Sequence, residues 1–299
     1  MSQQDSTSAS ASPPPVIVEP VSAHTYTPIL LHGMGSNGEN FGRALLETGI
    51  TSSGQRLPQL LPGAKFIFPT AARRRSTAFG RAILNMWFDK ARMQDPSYRK
   101  ETQLQGLEES AREILELIHH EESVNNIAPE NIILGGLSQG CAMALTVLLC
   151  LNHCIGGFVG MSGYLPFRED IDEAVAPCAV EDGHDNPFAS DEGGAENYPP
   201  AVRASVFERD LLGLPAVDGP APEKTAYGTP TFLGHGSADD KVLCSLGESE
   251  KRSIEGAGYE AQWRCYQGLG HWYKVPDEID DVVKFIRTAV GWQIADSRE

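Results

Sequence analysis

The chain has 299 residues and a formal net charge of −16, from 40 acidic and 24 basic residues. That imbalance excludes a general nucleic-acid binder and polybasic docking on anionic lipid, because both need clustered Lys and Arg. Hydrophobic residues make up 41%, enough for a substantial core, and none of the cysteines forms a Cys-x-x-Cys pair, which argues against a zinc ribbon or a thioredoxin-type site.

In chain order, residues 1–15 are mostly Ser, Ala, Gln and Pro and are expected to be a disordered tail. One domain is expected to span 16–299. The N-terminal stretch lacks the charged and apolar regions of a secretory signal, so a cytoplasmic protein with reduced thiols is expected. Short apolar runs follow at 29–31, 65–68, 86–88, 132–134, 158–161, 231–233 and 262–266. Each has the length of a strand in a buried, mostly parallel sheet. Arg73, Arg74 and Arg75 form a basic run short enough to read as a solvated loop.

Helical patterns lie between the runs. Leu104, Leu107, Ala111, Ile114, Leu115 and Ile118 recur at spacings of three and four. Residues 141–151 read as a mostly buried helix, too short to span a bilayer, so no transmembrane segment is expected. Ile279, Val282, Val283, Ile286 and Val290 mark a C-terminal helix, with Pro276 near its start and acids in its early turns. The alternation predicts an α/β fold, a mostly parallel central sheet with helices on both faces. One stretch breaks the rhythm. Residues 169–196 hold ten acidic side chains and no Lys or Arg, and an acidic, flexible insertion is expected at about 168–228.

The strongest chemical signal is Gly136-Leu137-Ser138-Gln139-Gly140, between an apolar run and a helical pattern. That is the strand–turn–helix context of a nucleophile elbow, in which flanking glycines let a strained Ser stand clear of the sheet. A second Gly-x-Ser-Gly at 160–163 lacks the following helix, and Ser162 reads as a strand-end residue. A serine hydroxyl needs a base. His271, in a Gly-rich loop after the last strand, fits the chain order of nucleophile, acid and His. His24, His119, His120, His153 and His184 lack that setting, and His235 reads as structural. The acid falls in the loop after residues 231–236, where Asp239 and Asp240 both qualify on physical grounds. The oxyanion hole is expected from the backbone N–H of Gln139 and, in the loop 31–35, that of Met34.

Taken together, Leu-His-Gly-Met-Gly at 31–35, Trp87-Phe88-Asp89, Gly-Leu-Ser-Gln-Gly at 136–140, His-Gly-x-x-Asp at 235–239 and Gly270-His271 resemble, in order, the acyl-protein thioesterase or phospholipase/carboxylesterase family. The resemblance implies an α/β-hydrolase fold and a catalytic triad of Ser138, Asp239 and His271, and so selects Asp239 over its neighbour. It also implies oxyanion donors at Met34 and Gln139. The activity implied is a serine esterase or thioesterase with no cofactor and no metal. Its substrates would be S-acylated proteins or small acyl esters, with lysolipids as an alternative and a non-catalytic acyl-binding or partner-binding protein as the rival from another class. No nucleic-acid partner is expected, and the oligomeric state is left open. Ser36, Cys141, Asp240 and Trp272 depart from the family pattern while leaving the triad types intact.

Overall fold

The computed structural model describes residues 12–177 and 197–295. Most of the predicted tail, 1–11, and the centre of the predicted insertion, 178–196, lie outside the described residues.

A seven-stranded sheet runs through the molecule in the order β1-β3-β2-β6-β7-β8-β9. Its strands are β1 (Val16–Val18), β2 (Thr27–Leu31), β3 (Phe66–Phe68), β6 (Ile132–Leu137), β7 (Gly157–Met161), β8 (Thr231–Gly236) and β9 (Ala261–Tyr266). Only β1 is antiparallel, on β3; β3, β2, β6, β7, β8 and β9 are mutually parallel. The inner strands are buried along their whole length, which is why they appear in the sequence as continuous apolar runs without alternation.

Helices cover both faces. On one lie α3 (Leu104–Ser123), α4 (Gln139–Cys150), α5 (Arg168–Val175), α6 (Pro200–Leu211) and α7 (Cys244–Gly256), around a core that includes Leu107, Ile114, Leu145, Leu149, Ile171 and Ile254. On the other lie α1 (Gly38–Thr48), the short α2 (Leu57–Leu60) and α8 (Asp277–Phe285), around Phe41, Phe68, Ile133, Phe232 and Phe285. α8 continues as a π-helical turn, Ile286–Val290.

Three expectations need correction. Arg73–Arg75 is not a loop but strand β4, paired antiparallel with β5 (Ile83–Asn85) in a separate hairpin. Arg73 and Arg75 face solvent while Arg74 turns inward to Glu109 and the Met86 carbonyl. Residues 86–88 are buried but are not a strand, because side chains take up their backbone groups: Gln139 binds Trp87 N and Phe88 O, and Ser110 binds Trp87 O. The expected insertion at 168–228 contains two helices among its described residues. α5 buries Ile171 and Val175, four residues apart, and α6 buries Ala201, Val202, Ala204 and Ser205. Arg203 joins the two, donating to the carbonyls of Val175 and Ala176 at 2.7 and 2.6 Å. The composition of the whole stretch masked these short periodic segments.

Candidate active site

The carboxyl ends of β2, β6, β7, β8 and β9 open on one edge of the sheet, and each feeds a loop there, as ligand-binding loops do in open parallel sheets. β6 is the central strand. Its last residue, Leu137, leads into Ser138 at φ 59° and ψ −121°, and α4 starts at the next residue. A positive φ in a non-glycine residue is a strained conformation that the surroundings must enforce. The flanking glycines allow it. A Cβ on Gly140 would lie 2.2 Å from the Leu31 carbonyl oxygen, and one on Gly136 would lie 2.6 Å from that same oxygen. The turn is therefore pressed against β2 with no room for side chains.

The predicted residues converge. Ser138 Oγ lies 2.8 Å from His271 Nε2, and His271 Nδ1 lies 2.7 Å from Asp239 Oδ2. A carboxylate only accepts, so Nδ1 carries the proton and Nε2 turns its lone pair to the serine hydroxyl. Asp239 Oδ1 accepts the backbone N–H groups of Lys241 and Val242, each at 2.9 Å. His235 Nε2 lies 3.3 Å from Asp239 Oδ2 and 2.9 Å from the Val242 carbonyl. Burial alone would raise the Asp239 carboxyl. The hydrogen bonds from His235, His271, Val242 and Lys241 outweigh it and hold the group well below the usual carboxylate range. Asp240 points into solvent beside Lys241. The expectation that His235 is structural needs enlarging, since it also braces the carboxylate.

The loop bearing His271 is docked on the loop bearing Asp239. Ser237 N donates to Tyr266 O and Ala238 N to Leu269 O. Gly236 permits this approach, because a Cβ there would meet the Leu269 carbonyl at 2.3 Å. Ser162 follows β7 as a buried residue and donates to the Trp272 carbonyl at 3.4 Å, so the second serine motif fastens the His271 loop.

The loop after β2 comes to the other side of the nucleophile. A Cβ on Gly33 would sit 3.4 Å from Ser138 Cβ and 3.9 Å from its Oγ. Met34 follows directly, and Gln139 is the first residue of α4, whose N–H has no carbonyl one turn behind it. The Gln139 side chain is engaged on the far side, holding Trp87 and Phe88. His32 orients the loop. Its Nε2 accepts Ala71 N–H at 3.0 Å, so Nδ1 is the protonated nitrogen, and it donates to the Gly33 carbonyl at 2.7 Å. Burial lowers its pKa to about 4, which keeps the ring neutral. Carbonyl and N–H point opposite ways across a trans peptide, so tethering Gly33 O aims Met34 N–H in the reverse direction. The sequence pattern held this histidine inside a motif but assigned it no task. The Trp87 indole N–H donates to the His32 carbonyl at 2.8 Å and locks the same loop from below.

A parallel sheet with a strained serine on its central elbow, a late-loop histidine and a preceding acid defines an α/β-hydrolase. A profile of the phospholipase/carboxylesterase family matches residues 13–184, and the chain belongs to that family, as a hydrolase acting on esters or thioesters. It is 30% identical to acyl-protein thioesterase 1 of Saccharomyces cerevisiae over 269 residues, covering 89% of this chain and 93% of the yeast protein. It is 27% identical to acyl-protein thioesterase 1 of Gibberella zeae over 276 residues, 91% of this chain and 94% of that protein. The crystal structure of acyl-protein thioesterase 2 from Zea mays superposes with a TM-score of 0.64 at 27% identity, covering 93% of this chain and 99% of the maize chain.

Proposed function

We propose that this single-domain protein, spanning 16–299, is a cytoplasmic serine thioesterase that removes fatty acyl groups from S-acylated proteins. His271 takes the proton from Ser138 as Oγ attacks the acyl carbonyl. Asp239 holds the imidazole tautomer and stabilises the imidazolium. The N–H groups of Met34 and Gln139 bind the oxyanion, where one donor is worth about 2.7–4 kcal/mol. His271 then protonates the leaving thiolate, and water attacks the acyl-enzyme by the reverse path. These steps need neither a metal nor an organic cofactor. The observation that carries the reading is the continuous relay from Asp239 through His271 to Ser138, at 2.7 and 2.8 Å. The names of the relatives support the thioester substrate. No helix among the described residues is long and apolar enough to cross a membrane.

The family description favours a second reading, a lysophospholipase or small-ester carboxylesterase. Initial rates on S-palmitoylated peptide, lysophosphatidylcholine and p-nitrophenyl acetate, octanoate and palmitate separate the two. The thioesterase reading expects the palmitoylated peptide to have the highest kcat/KM. Preference for lysophosphatidylcholine or for acetate would replace it with the second. In Ser138→Ala every rate should fall by about 10⁴–10⁶-fold; equal rates in that variant would remove the serine mechanism.

A further inference from the structure

Apart from the triad, one pair of neighbouring thiols among the described residues lies close to the catalytic machinery. Cys244 is the first residue of α7 and Cys265 lies on the edge strand β9, with their sulfurs 3.6 Å apart. Cys265 is exposed and Cys244 half-buried, whereas Cys141 and Cys150 are sealed in the core. Cys154 is exposed but distant, its thiol directed at the Thr225 carbonyl. Cys178 lies outside the described residues. A disulfide needs sulfurs about 2.05 Å apart, so closing this pair moves them together by about 1.5 Å.

The position of the pair gives that movement a consequence. Cys265 is the ladder partner of His235 across β8 and β9, and His235 contacts Asp239. Cys244 stands two residues beyond Val242, whose N–H holds Asp239 Oδ1 and whose carbonyl holds His235. The two sulfurs thus lie at the two ends of the scaffold that positions the acid. Burial first, then the hydrogen bond and charge of Cys265, push the Cys244 thiol up to about 12, and the Asp239 carboxylate adds to the effect. Cys265, the more exposed of the two, is the sulfur that meets an oxidant.

We infer that Cys244 and Cys265 form a reversible intramolecular disulfide under peroxide, and that closing it slows turnover by shifting the loop that holds Asp239. The Cys265 thiolate attacks one peroxide oxygen, forming the sulfenic acid as the O–O bond breaks and hydroxide leaves. The Cys244 sulfur then displaces hydroxide from that sulfenic acid, forming the S–S bond, and the two thiol protons end in water. In sum, two thiols and one hydrogen peroxide give one disulfide and two waters, with sulfur oxidised and peroxide oxygen reduced. Disulfides in reducing compartments are usually transient and redox-sensing, and a partly exposed thiol beside a resolving partner is their usual setting.

The catalytic half of this inference rests on the triad reading above. The full chain carrying Cys154→Ser and Cys178→Ser is first assayed reduced, on p-nitrophenyl octanoate. It is then treated with hydrogen peroxide, alkylated and mapped by mass spectrometry. The expected result is a peptide pair linked through Cys244 and Cys265, a fall in kcat of about tenfold, and recovery of both with dithiothreitol. Adding Cys265→Ser should remove the link and leave the rate insensitive to peroxide. Both thiols still alkylated after treatment, or a mapped link with kcat unchanged, would overturn the inference. An inactive reduced protein would instead strike at the proposed function, and the mapping would still decide whether the link forms.

Discussion

Asp239 and Asp240 are chemically identical neighbours, and only their surroundings separate them. Asp239 has lost water and gained His235, His271 and two backbone N–H groups; Asp240 keeps its water. Asp239→Asn should lower kcat/KM by about 10⁴-fold, because an amide no longer enforces the imidazole tautomer, while Asp240→Asn should stay within about twofold. Comparable losses at both positions, measured on p-nitrophenyl octanoate, would mean the acid is misassigned. His32 offers a finer test. His32→Ala removes the shorter of two hydrogen bonds to the Gly33 carbonyl, leaving only Ser36 N–H at 3.2 Å, so Met34 N–H is aimed less firmly; kcat should drop by roughly 10–100-fold with little change in KM, since the loss falls on the charged transition state. His32→Asn, which retains a donor near Nδ1, should recover part of the rate. A change confined to KM would show that His32 shapes the substrate site instead.

At the scale of elements, the elbow depends on contact between α4 and β2. Gly140 has no space for a Cβ, which would fall 2.2 Å from the Leu31 carbonyl oxygen. Backbone cannot yield there as a side-chain tip could, so Gly140→Ala should destabilise the fold by more than about 3 kcal/mol and remove activity. Gly256, at the end of α7, has open space around the same position, and Gly256→Ala should be neutral or stabilising by up to about 1 kcal/mol. Thermal melts of the two variants test the contrast; similar melting temperatures would mean the elbow is looser than its geometry. The strands that carry the site were legible because buried parallel strands are continuous apolar runs. β1 was not, since three partly exposed residues after a Pro-rich stretch carry no periodic signal. Nor were α5 and α6, each buried on a narrow face within an acidic segment.

For the whole molecule, three glutamates are the unusual feature. Glu208, Glu250 and Glu278 are buried, and burial first raises each from 4.5 to about 8. They sit protonated in the folded protein at pH values where the unfolded chain has already ionised them. Between about pH 4.5 and 8 the folded state therefore holds more protons, and stability falls as pH rises, by up to about 1.4 kcal/mol per unit for each group. Asp239 acts in the opposite sense, but its stabilisation is lost only as pH falls below the ordinary carboxylate range, whereas His32, held neutral with its pKa lowered from 6.5 to about 4, offsets about one glutamate between those two values. The melting temperature should thus decline most clearly from pH 6.5 to 8, where only the glutamates are changing. Glu208→Gln, at a fully buried site, should flatten that slope by about a third, the share of one group among three. An unchanged slope would show that Glu208 is ionised within the fold.

Sequence by itself determined the sheet-and-helix alternation, the elbow, the late histidine and the family, because each is a local pattern: burial on both faces makes apolar runs, and a tight turn demands glycine at fixed offsets. Only the tertiary structure decided which groups meet. The relay of Ser138, His271 and Asp239 spans 133 and 32 residues of chain, the Met34 N–H is aimed by a tether that a string of letters does not display, and Cys244 approaches Cys265 across a helix–strand contact. Those relations depend on loop docking and on where water is excluded, which are properties of the packed molecule and not of any window along the chain.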